Sequence, residues 1–309
     1  MLQVLFAPLQ GYTDHVYRRI HNEIAGGVDC YYTPFVRWEK GGVRNKDIRD
    51  ILPENNADVN VIPQIIAANR DEFCRLCDLV QENGWKRIDL NIGCPFPMQT
   101  KLGRGSGLLQ HPDEAEKIFA EMMSRTEVGF SVKMRLGYES VDEGLAIMQM
   151  LNNINLTQVV LHPRLGVQQY KGSVDMDAFA RLAEICNHPL FFNGDIVSVS
   201  QINDLEQKFP NLSGVMIGRG LLSRPTLANE YKYGVEMTDE QRFEITLRMH
   251  DAYYADACNF FRGDSQILTR MRVFWEFQTD ILPKKTYKRL MKCGNVKNYE
   301  IALSEAKSY

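Results

Sequence analysis

The sequence lacks the features that mark membrane, secreted and disulfide-bonded proteins. Its 309 residues contain no run of roughly 18 apolar residues, and no basic leader precedes an apolar stretch at the start. We therefore expect no membrane association and no signal peptide. The seven cysteines follow no framework spacing, which is typical of a reduced protein, so we expect a cytoplasmic location. Cys74 and Cys77 lie in a helical pattern and predict core-facing thiols rather than a metal site.

Disorder and indiscriminate nucleic-acid binding are disfavoured as well. The chain is 44% hydrophobic and 24% charged, with a formal net charge of −3, which is ordinary for a globular protein. The charge is uneven, because residues 262–297 carry nine basic and three acidic side chains, which makes this segment +6 and the remainder −9. Such a basic segment is a candidate contact surface for a polyanion, although a solvated helix surface is the simpler explanation.

Short β-rich segments alternate with amphipathic helical segments along most of the chain. Strands are predicted at 4–7, 30–33, 61–67, 87–91, 129–135, 158–162, 190–193 and 214–217. Helices are predicted at 14–25, 69–82, 112–124, 141–151, 176–186 and 200–208, with Asn69 and Ser140 as N-caps. Eight strands with crossover helices favour an α/β fold of the (β/α)8 TIM-barrel type. A doubly wound sheet is the alternative, but residues 7–11 lack its glycine fingerprint.

The pattern changes near Gly234. Thr238 and Gln241 form a capping-box signature, and no β-rich segment follows them. We therefore expect a catalytic TIM barrel over residues 1–234, followed by a small C-terminal helical domain over residues 235–309. The glycine-rich run at 103–107 resembles a phosphate loop only weakly, because no strand directly precedes it.

Polar side chains recur where the predicted strands end. Because the carboxyl ends of parallel barrel strands meet at one rim, these side chains should share a site. A lysine inside a strand, such as Lys133, is costly to bury unless an anion or acceptor meets it. Each of these residues taken alone is explained as a buried polar side chain whose hydrogen bonds are satisfied. Polar residues at the ends of six successive strands, however, indicate a site. These residues are Gln64, Asn91, Cys94, Lys133, Arg135, His162, Arg164, Asn193, Gly194, Asp195, Gly218, Arg219 and Gly220.

The same residues suit flavin mononucleotide (FMN). Glycine-containing turns after the seventh and eighth strands are where barrels of this class bind phosphate, and Arg219 adds a positive charge there. A positive group near N1 and O2 of the isoalloxazine ring stabilises the anionic reduced flavin, which is a role for Lys133. The other groups suited to the polar edge of the ring are the Gln64 amide and the backbone of Pro8, Leu9 and Gln10.

Six motifs, in this order and spacing, closely resemble those of the tRNA-dihydrouridine synthases over about residues 2–225. They are APLQGYTD, DLNIGCP, SVKMRLG, VVLHPR, FFNGDI and GVMIGRG. The chain departs from the family pattern at Leu9 and Gln10, at Pro163, where glycine is usual, and at Phe192, where alanine is usual. The helical tail is similar in size to the RNA-binding helical domain of that family.

The resemblance implies a site and a reaction. NADPH, or NADH, reduces FMN, the flavin delivers hydride to C6 of a uridine in tRNA, and Cys94 as general acid protonates C5. Asn91 lies beside the flavin and the substrate base. The FMN contacts implied are Lys133, Gln64 and His162 at the ring, and Asn193, Gly194, Asp195, Gly218 and Arg219 at the phosphate. Which uridine is reduced is not indicated.

Further substrate contacts are expected around this site. Reaching C6 requires the base to leave the stack, and Tyr170 is a candidate aromatic platform for it. The other candidates are Asn91, Arg164, Arg37, Lys101 and Arg104, with the basic tail. A monomer that binds tRNA and NAD(P)H is expected. An FMN barrel that reduces a free pyrimidine, like dihydroorotate or dihydropyrimidine dehydrogenases, and a flavin- or RNA-binding protein without catalysis are the alternatives.

Overall fold

The computed structural model describes residues 1–307 and contains one ten-stranded sheet whose ladders are parallel. The strands are β1 (Gln3–Phe6), β2 (Cys30–Tyr32), β3 (Val36–Arg37), β4 (Val61–Ile62), β5 (Gln64–Ile66), β6 (Arg87–Ile92), β7 (Gly129–Arg135), β8 (Leu156–His162), β9 (Leu190–Phe192) and β10 (Gly214–Ile217). Their order in the sheet is β3-β5-β6-β7-β8-β9-β10-β1-β2-β4.

The third predicted strand is divided at Pro63 into β4 and β5, which pair with different neighbours. This segment closes the sheet into a TIM-barrel-like ring. β4 pairs with β2, whereas β5 pairs with β6. Pro63 joins the two halves and has no N–H to donate to a ladder, but its carbonyl accepts a hydrogen bond of 2.9 Å from the Asp89 N–H. β4, at one end of the strand order, is therefore continuous in the chain with β5, which lies next to the other end, and the ring closes at this segment. The predicted α/β barrel is confirmed.

Within residues 1–307, ten α-helices up to residue 233 lie between or after the strands around the ring, and four more follow from residue 239. They are α1 (His15–Ile24), α2 (Asn45–Ile51), α3 (Arg70–Glu82), α4 (Pro97–Thr100), α5 (Pro112–Ser124), α6 (Val141–Leu151), α7 (Met176–Ile185), α8 (Val199–Lys208), α9 (Arg219–Ser223), α10 (Leu227–Tyr233), α11 (Asp239–Phe260), α12 (Asp264–Trp275), α13 (Lys284–Lys292) and α14 (Val296–Ala306). The predicted caps are confirmed: Asn69 accepts from the Glu72 N–H, and Ser140 and Thr238 each form a capping box.

The barrel has two apolar layers, which follow from the period-2 alternation of its strands. On β7, Phe130, Val132 and Met134 point outward into the main core between the sheet and its helices. Ser131, Lys133 and Arg135 alternate with them and point inward, as the sequence predicts. A smaller apolar cluster fills the interior below them; its members are Leu5, Ala7, Cys30, Tyr32, Ile62, Val160, Phe191 and Met216.

The region after residue 234 is helical, as predicted. α10 ends at Gly234, whose φ of +63° suits glycine. α11 packs against α1 of the barrel, where the rings of Tyr17 and Tyr253 lie 5.9 Å apart edge to face. The division into two domains at this point stays a prediction. Within residues 1–307, no helix is both long and apolar enough to cross a bilayer.

A buried carboxylate ties α10 to α11. Glu230 is 1% exposed and accepts hydrogen bonds from Arg224 Nε (2.9 Å), Thr226 Oγ1 (2.6 Å) and Arg242 Nη2 (3.4 Å). Burial raises the pKa of Glu230. The hydrogen bonds from Arg224 and Thr226, together with the positive charges of Arg224 and Arg242, outweigh that effect and lower the pKa to about 2. A carboxyl group whose pKa is lowered on folding stabilises the folded state at pH values above its unfolded-state pKa. This contribution is lost as the pH falls toward the folded-state pKa.

We predict that Glu230→Gln lowers the free energy of unfolding at pH 7 by roughly 3 kcal/mol, because both arginines lose a charged partner. The difference from wild type should narrow as the pH falls below about 4.5, because the wild-type carboxylate then loses its own contribution. Urea unfolding of both proteins at pH 7 and at lower pH measures this. A difference that does not change with pH would contradict the assignment.

Candidate active site

A cavity of about 680 Å³ lies at the carboxyl ends of the barrel strands, where the active sites of this fold are found. Its size suits a cofactor or ligand pocket. Most of the residues predicted for the site come together on its wall. These are Pro8, Leu9, Gln10, Asn91, Cys94, Lys133, His162, Tyr170, Asn193, Gly194, Asp195, Gly218 and Arg219.

The loop that carries Cys94 is held by hydrogen bonds on two sides. The Asn91 side-chain oxygen accepts from the N–H groups of Gly93 (3.0 Å) and Cys94 (2.8 Å). The Cys94 carbonyl accepts from the N–H of Ser106 (2.9 Å) and from its hydroxyl (3.0 Å). Cys94 lines the cavity but is only 7% exposed. Burial raises its pKa, despite the Phe96 N–H and nearby cations, so the thiol is protonated at neutral pH.

The glycine-rich run at 103–107 supports this loop from behind. Gly105 has a φ of +59°, and a Cβ there would lie 2.6 Å from the Cys94 carbonyl oxygen. The close approach of the two backbones therefore requires glycine. The weak resemblance of this run to a phosphate loop has a structural explanation, because its backbone serves to position Cys94.

The structure argues against the predicted role of Arg104 in RNA binding. Arg104 is 6% exposed and donates to Glu72 from Nε (2.9 Å) and Nη2 (2.6 Å), and to the Trp38 carbonyl. Its guanidinium is therefore committed to an internal ion pair. The sequence contains no local signal for this pairing, because Glu72 is 32 residues away on α3.

Lys133 brings a cation to the floor of the cavity. Burial and the neighbouring charge of Arg135 lower its pKa to about 8, against the attraction of Asp89, so most of the amine is protonated at pH 7. Arg135 lies beside it and donates to the carbonyls of Gly93 (2.9 Å), Leu165 (2.9 Å) and Gln169 (2.7 Å). These bonds join the loops after β6 and β8 across the rim.

His162 is held in the neutral form with a defined tautomer. Burial and the nearby cations, Arg135 first among them, hold its pKa well below the usual range. Arg164 Nη1 lies 3.1 Å from His162 Nε2. A guanidinium has only donors, so Nε2 accepts and the ring proton is on Nδ1. Arg164 itself is 2% exposed and ion-paired with Asp195, which argues against its predicted contact with the substrate.

The turns after β9 and β10 meet at one side of the cavity. A Cβ on Gly220 would lie 2.0 Å from the Ile196 carbonyl oxygen, so the two turns touch through their backbones. Asn193 Nδ2 donates to the Met216 carbonyl over 2.7 Å. Asp195, at a φ of +48°, accepts from Arg219 over 3.0 Å, and the Arg219 side chain is 46% exposed. The predicted phosphate-binding groups are thus adjacent.

An aromatic rim surrounds the mouth of the cavity. Tyr170 is 41% exposed, and its ring lies 5.0 Å from the Arg219 guanidinium and 6.2 Å from the ring of Phe96. On the opposite edge, the rings of Tyr12 and Phe277 lie 5.2 Å apart, and Tyr12 Oη donates to Glu276 over 3.0 Å. Sequence analysis missed Phe96, Tyr12 and Phe277. Tyr12 and Glu276 are 264 residues apart in the sequence, so no local pattern predicts that they are in contact.

Besides Arg104 and Arg164, three predicted site residues lie off the cavity wall. Gln64 is fully buried behind Asn91, to which its Oε1 is hydrogen-bonded at 2.8 Å. Arg37 is ion-paired with Glu39, and Lys101 is exposed beyond α4. A direct contact between Gln64 and a cavity ligand is therefore not supported by its position. Residues 1–307 also contain no group of three or more His, Cys, Asp or Glu side chains arranged to hold a metal ion.

Comparison with known proteins decides the family. A family model described as dihydrouridine synthase (Dus) matches residues 5–308. The chain belongs to the dihydrouridine synthase family. It is 29% identical over 244 residues to a tRNA-dihydrouridine(16) synthase of Aquipseudomonas alcaligenes, a match that covers 74% of this chain and 75% of the relative. Its identity to the corresponding synthase of Pseudomonas putida is 30% over 237 residues, covering 73% and 72%.

Solved structures share the fold of this dihydrouridine synthase family member. The old yellow enzyme homologue from Zymomonas mobilis aligns with a TM-score of 0.53 at 10% identity, over 76% of this chain and 90% of that chain. Histamine dehydrogenase from Rhizobium sp. 4-9 aligns with a TM-score of 0.55 at 11% identity, over 85% of this chain and 50% of that chain. These structures bear out the fold, and the family match above confirms the predicted family and the predicted enzyme class.

The buried ion pair behind Cys94 gives a stability prediction. Arg104→Met should lower the free energy of unfolding by roughly 3 kcal/mol, because Glu72 is left without its partner. Lys101→Met is the matched control: its side chain is exposed, so the change should stay within about 0.5 kcal/mol. Chemical unfolding at pH 7 measures both. An Arg104→Met protein as stable as the control would show that the ion pair contributes nothing.

Proposed function

We propose that this chain is a cytoplasmic, FMN-dependent tRNA-dihydrouridine synthase that uses NADPH or NADH to reduce the C5=C6 bond of a uridine in tRNA. The observation that carries the proposal is the pairing of a protonated thiol, Cys94, with a cation, Lys133, on the wall of one cavity at the barrel rim. The names of the relatives indicate tRNA as the substrate. The residues of the site indicate a reduction in which Cys94 gives the proton.

The residues present suit FMN. The adjoining turns at Gly194 and Gly218 leave room for a phosphate beside the exposed Arg219 guanidinium. At the other end of the cavity, Lys133 would offer a positive charge to the N1 and O2 edge of a flavin, and the Nδ1–H of His162 would offer a donor. The backbone of residues 8–10 completes the wall. The cavity volume of about 680 Å³ and these lining groups are compatible with FMN.

Reduction of a uracil requires a hydride at C6 and a proton at C5. When bound, the flavin supplies the hydride. Adding the hydride places negative charge on C5 and O4, and the Cys94 thiol transfers its proton to C5, which leaves a thiolate that solvent reprotonates. A thiol with a raised pKa holds this proton at neutral pH, as a general acid must. The neutral His162 is not needed as a second acid.

The reacting base must leave the RNA stack to reach Cys94. The aromatic rim of Tyr170, Phe96, Tyr12 and Phe277 gives an extruded base faces on which to stack. We propose that the RNA backbone lies along the basic segment at 262–297 and near Lys101, which makes residues 235–309 the tRNA-binding helical domain and 1–234 the catalytic domain. Phe277 belongs to that segment and also lines the cavity, which argues against an enzyme for free pyrimidines.

We predict that Cys94→Ala retains FMN but forms dihydrouridine about 10²–10⁴-fold more slowly, because the general acid is lost. Single-turnover reaction with unmodified tRNA and NADPH, followed by mass spectrometry of the nucleosides, measures this. Cys74→Ala is the matched control, since Cys74 lies on α3 away from the cavity, and it should react at the wild-type rate. Full activity of Cys94→Ala would remove the thiol from the mechanism.

Lys133→Met tests the placement of the flavin separately. Loss of a charged hydrogen-bond donor should weaken FMN binding by about 10-fold or more, because such a bond contributes roughly 1.5–3 kcal/mol. The ratio of flavin to protein absorbance after purification, and titration of the flavin-free protein with FMN, report the loss. Lys101→Met should bind FMN as the wild type does. Equal FMN affinity in both variants would place the ring edge elsewhere.

A further inference from the structure

The barrel interior contains one carboxylate that the proposed reaction does not use. Asp89 projects inward from β6 and is 0% exposed. Ser131 Oγ donates to its Oδ1 over 2.6 Å, and Gln64 Nε2 donates to its Oδ2 over 2.7 Å. Burial raises its pKa to about 6, against these two bonds and the charge of Lys133. A group this costly to bury persists only where its surroundings compensate the loss of water.

Gln64 connects this carboxylate to Asn91. The Gln64 nitrogen is committed to Asp89, so its oxygen faces Asn91 and accepts from Nδ2 over 2.8 Å. The Asn91 oxygen therefore faces the opposite way, where it accepts from the N–H groups of Gly93 and Cys94. We call Asp89, Gln64 and Asn91 the amide relay.

Both ends of the amide relay demand the same orientation of its two amides. At one end a carboxylate only accepts, and at the other end two backbone N–H groups only donate. Reversal of the Gln64 amide would place its oxygen against the Asp89 carboxylate and its nitrogen against Asn91 Nδ2. Two such buried mismatches are costly. A single arrangement satisfies every member, and it is the one observed.

We propose that Asp89 is a positioning residue that fixes the orientation of the Asn91 amide and so holds the Cys94 loop in place. The inference rests on the proposed role of Cys94 as proton donor. It also defines what Asn91 offers the cavity: both lone pairs of its oxygen and one N–H are already used, so it presents a single N–H donor. Asn91 therefore acts on a bound base as a donor.

Two substitutions at one position separate positioning from packing. Asp89→Asn keeps an acceptor for Gln64, because its nitrogen can face the Ser131 hydroxyl, which rotates to accept. Asp89→Leu has the same branching at Cγ but no acceptor, so the Gln64 amide loses its fixed orientation. Gln64→Met cuts the relay at its centre with little change in volume.

The two half-reactions of the holoenzyme report the effect. Asp89→Leu and Gln64→Met should slow reoxidation of the NADPH-reduced protein by tRNA about 10- to 100-fold, because a shift of about 1 Å at a reacting group has this cost. Reduction by NADPH, which does not involve Cys94, should be unchanged in Gln64→Met. Asp89→Asn removes the same negative charge beside Lys133 as Asp89→Leu does, so it is the reference for Asp89→Leu in both steps, and it should react with tRNA faster than Asp89→Leu. The double variant should be no slower than the slower single variant, because both cut one relay.

A second readout needs neither flavin nor tRNA. In the flavin-free protein, iodoacetamide labelling of Cys94, followed by peptide mass spectrometry, measures how firmly the loop is held. Labelling should be faster in Asp89→Leu and Gln64→Met than in wild type, and unchanged in Asp89→Asn. If Asp89→Leu does not fold, Gln64→Met carries both measurements.

Two results would overturn the proposal. One is that Asp89→Leu and Gln64→Met are reoxidised by tRNA and labelled by iodoacetamide at the same rates as the wild type. The other is an equal loss in both half-reactions together with loss of FMN, because this pattern indicates general damage to the barrel. Failure of tRNA to reoxidise the wild-type protein would instead contradict the proposed function, and the labelling experiment would still decide whether the amide relay holds Cys94.

Discussion

The position of the Cys94 thiol depends on one acceptor, the side-chain oxygen of Asn91, which takes the N–H groups of Gly93 and Cys94 where β6 ends. The backbone there has left the ladder, so a side chain must satisfy those donors. Gly105 permits the close contact that holds the loop from the other side. Without these two supports, neither the burial of the thiol nor its approach to the cavity would be defined.

The charges around the cavity follow from what each side chain finds inside the barrel. Lys133 and Arg135 are cations within a ring of parallel strands, and their field together with burial keeps His162 neutral. Arg164 and Arg219 share Asp195, so the side of the cavity proposed to bind phosphate is less positive than the number of its arginines implies. The site therefore combines the protonated Cys94 thiol, the buried cation of Lys133 and the neutral His162 ring, which is an arrangement suited to reducing a neutral base.

Much of this was predictable from the sequence. Alternating patterns and caps such as Asn69 located the elements, and the rule that parallel strand ends share a rim brought Cys94, Lys133 and His162 to one cavity. Local patterns do not reveal which charges are already paired. Arg104 and Arg164 have internal partners, which no local pattern indicates, and their contacts with RNA or substrate stay predictions. Phe277 reaches the cavity through tertiary packing from the far end of the chain.

The most direct test is the reaction on its substrate. tRNA from a strain that lacks this gene is incubated with the purified, FMN-loaded protein and NADPH, and each fragment is then weighed by mass spectrometry. The expected result is a gain of the mass of two hydrogen atoms at a uridine, with no reduction of free uracil. Unchanged tRNA, or turnover of free uracil without RNA, would contradict a tRNA-dihydrouridine synthase built around Cys94.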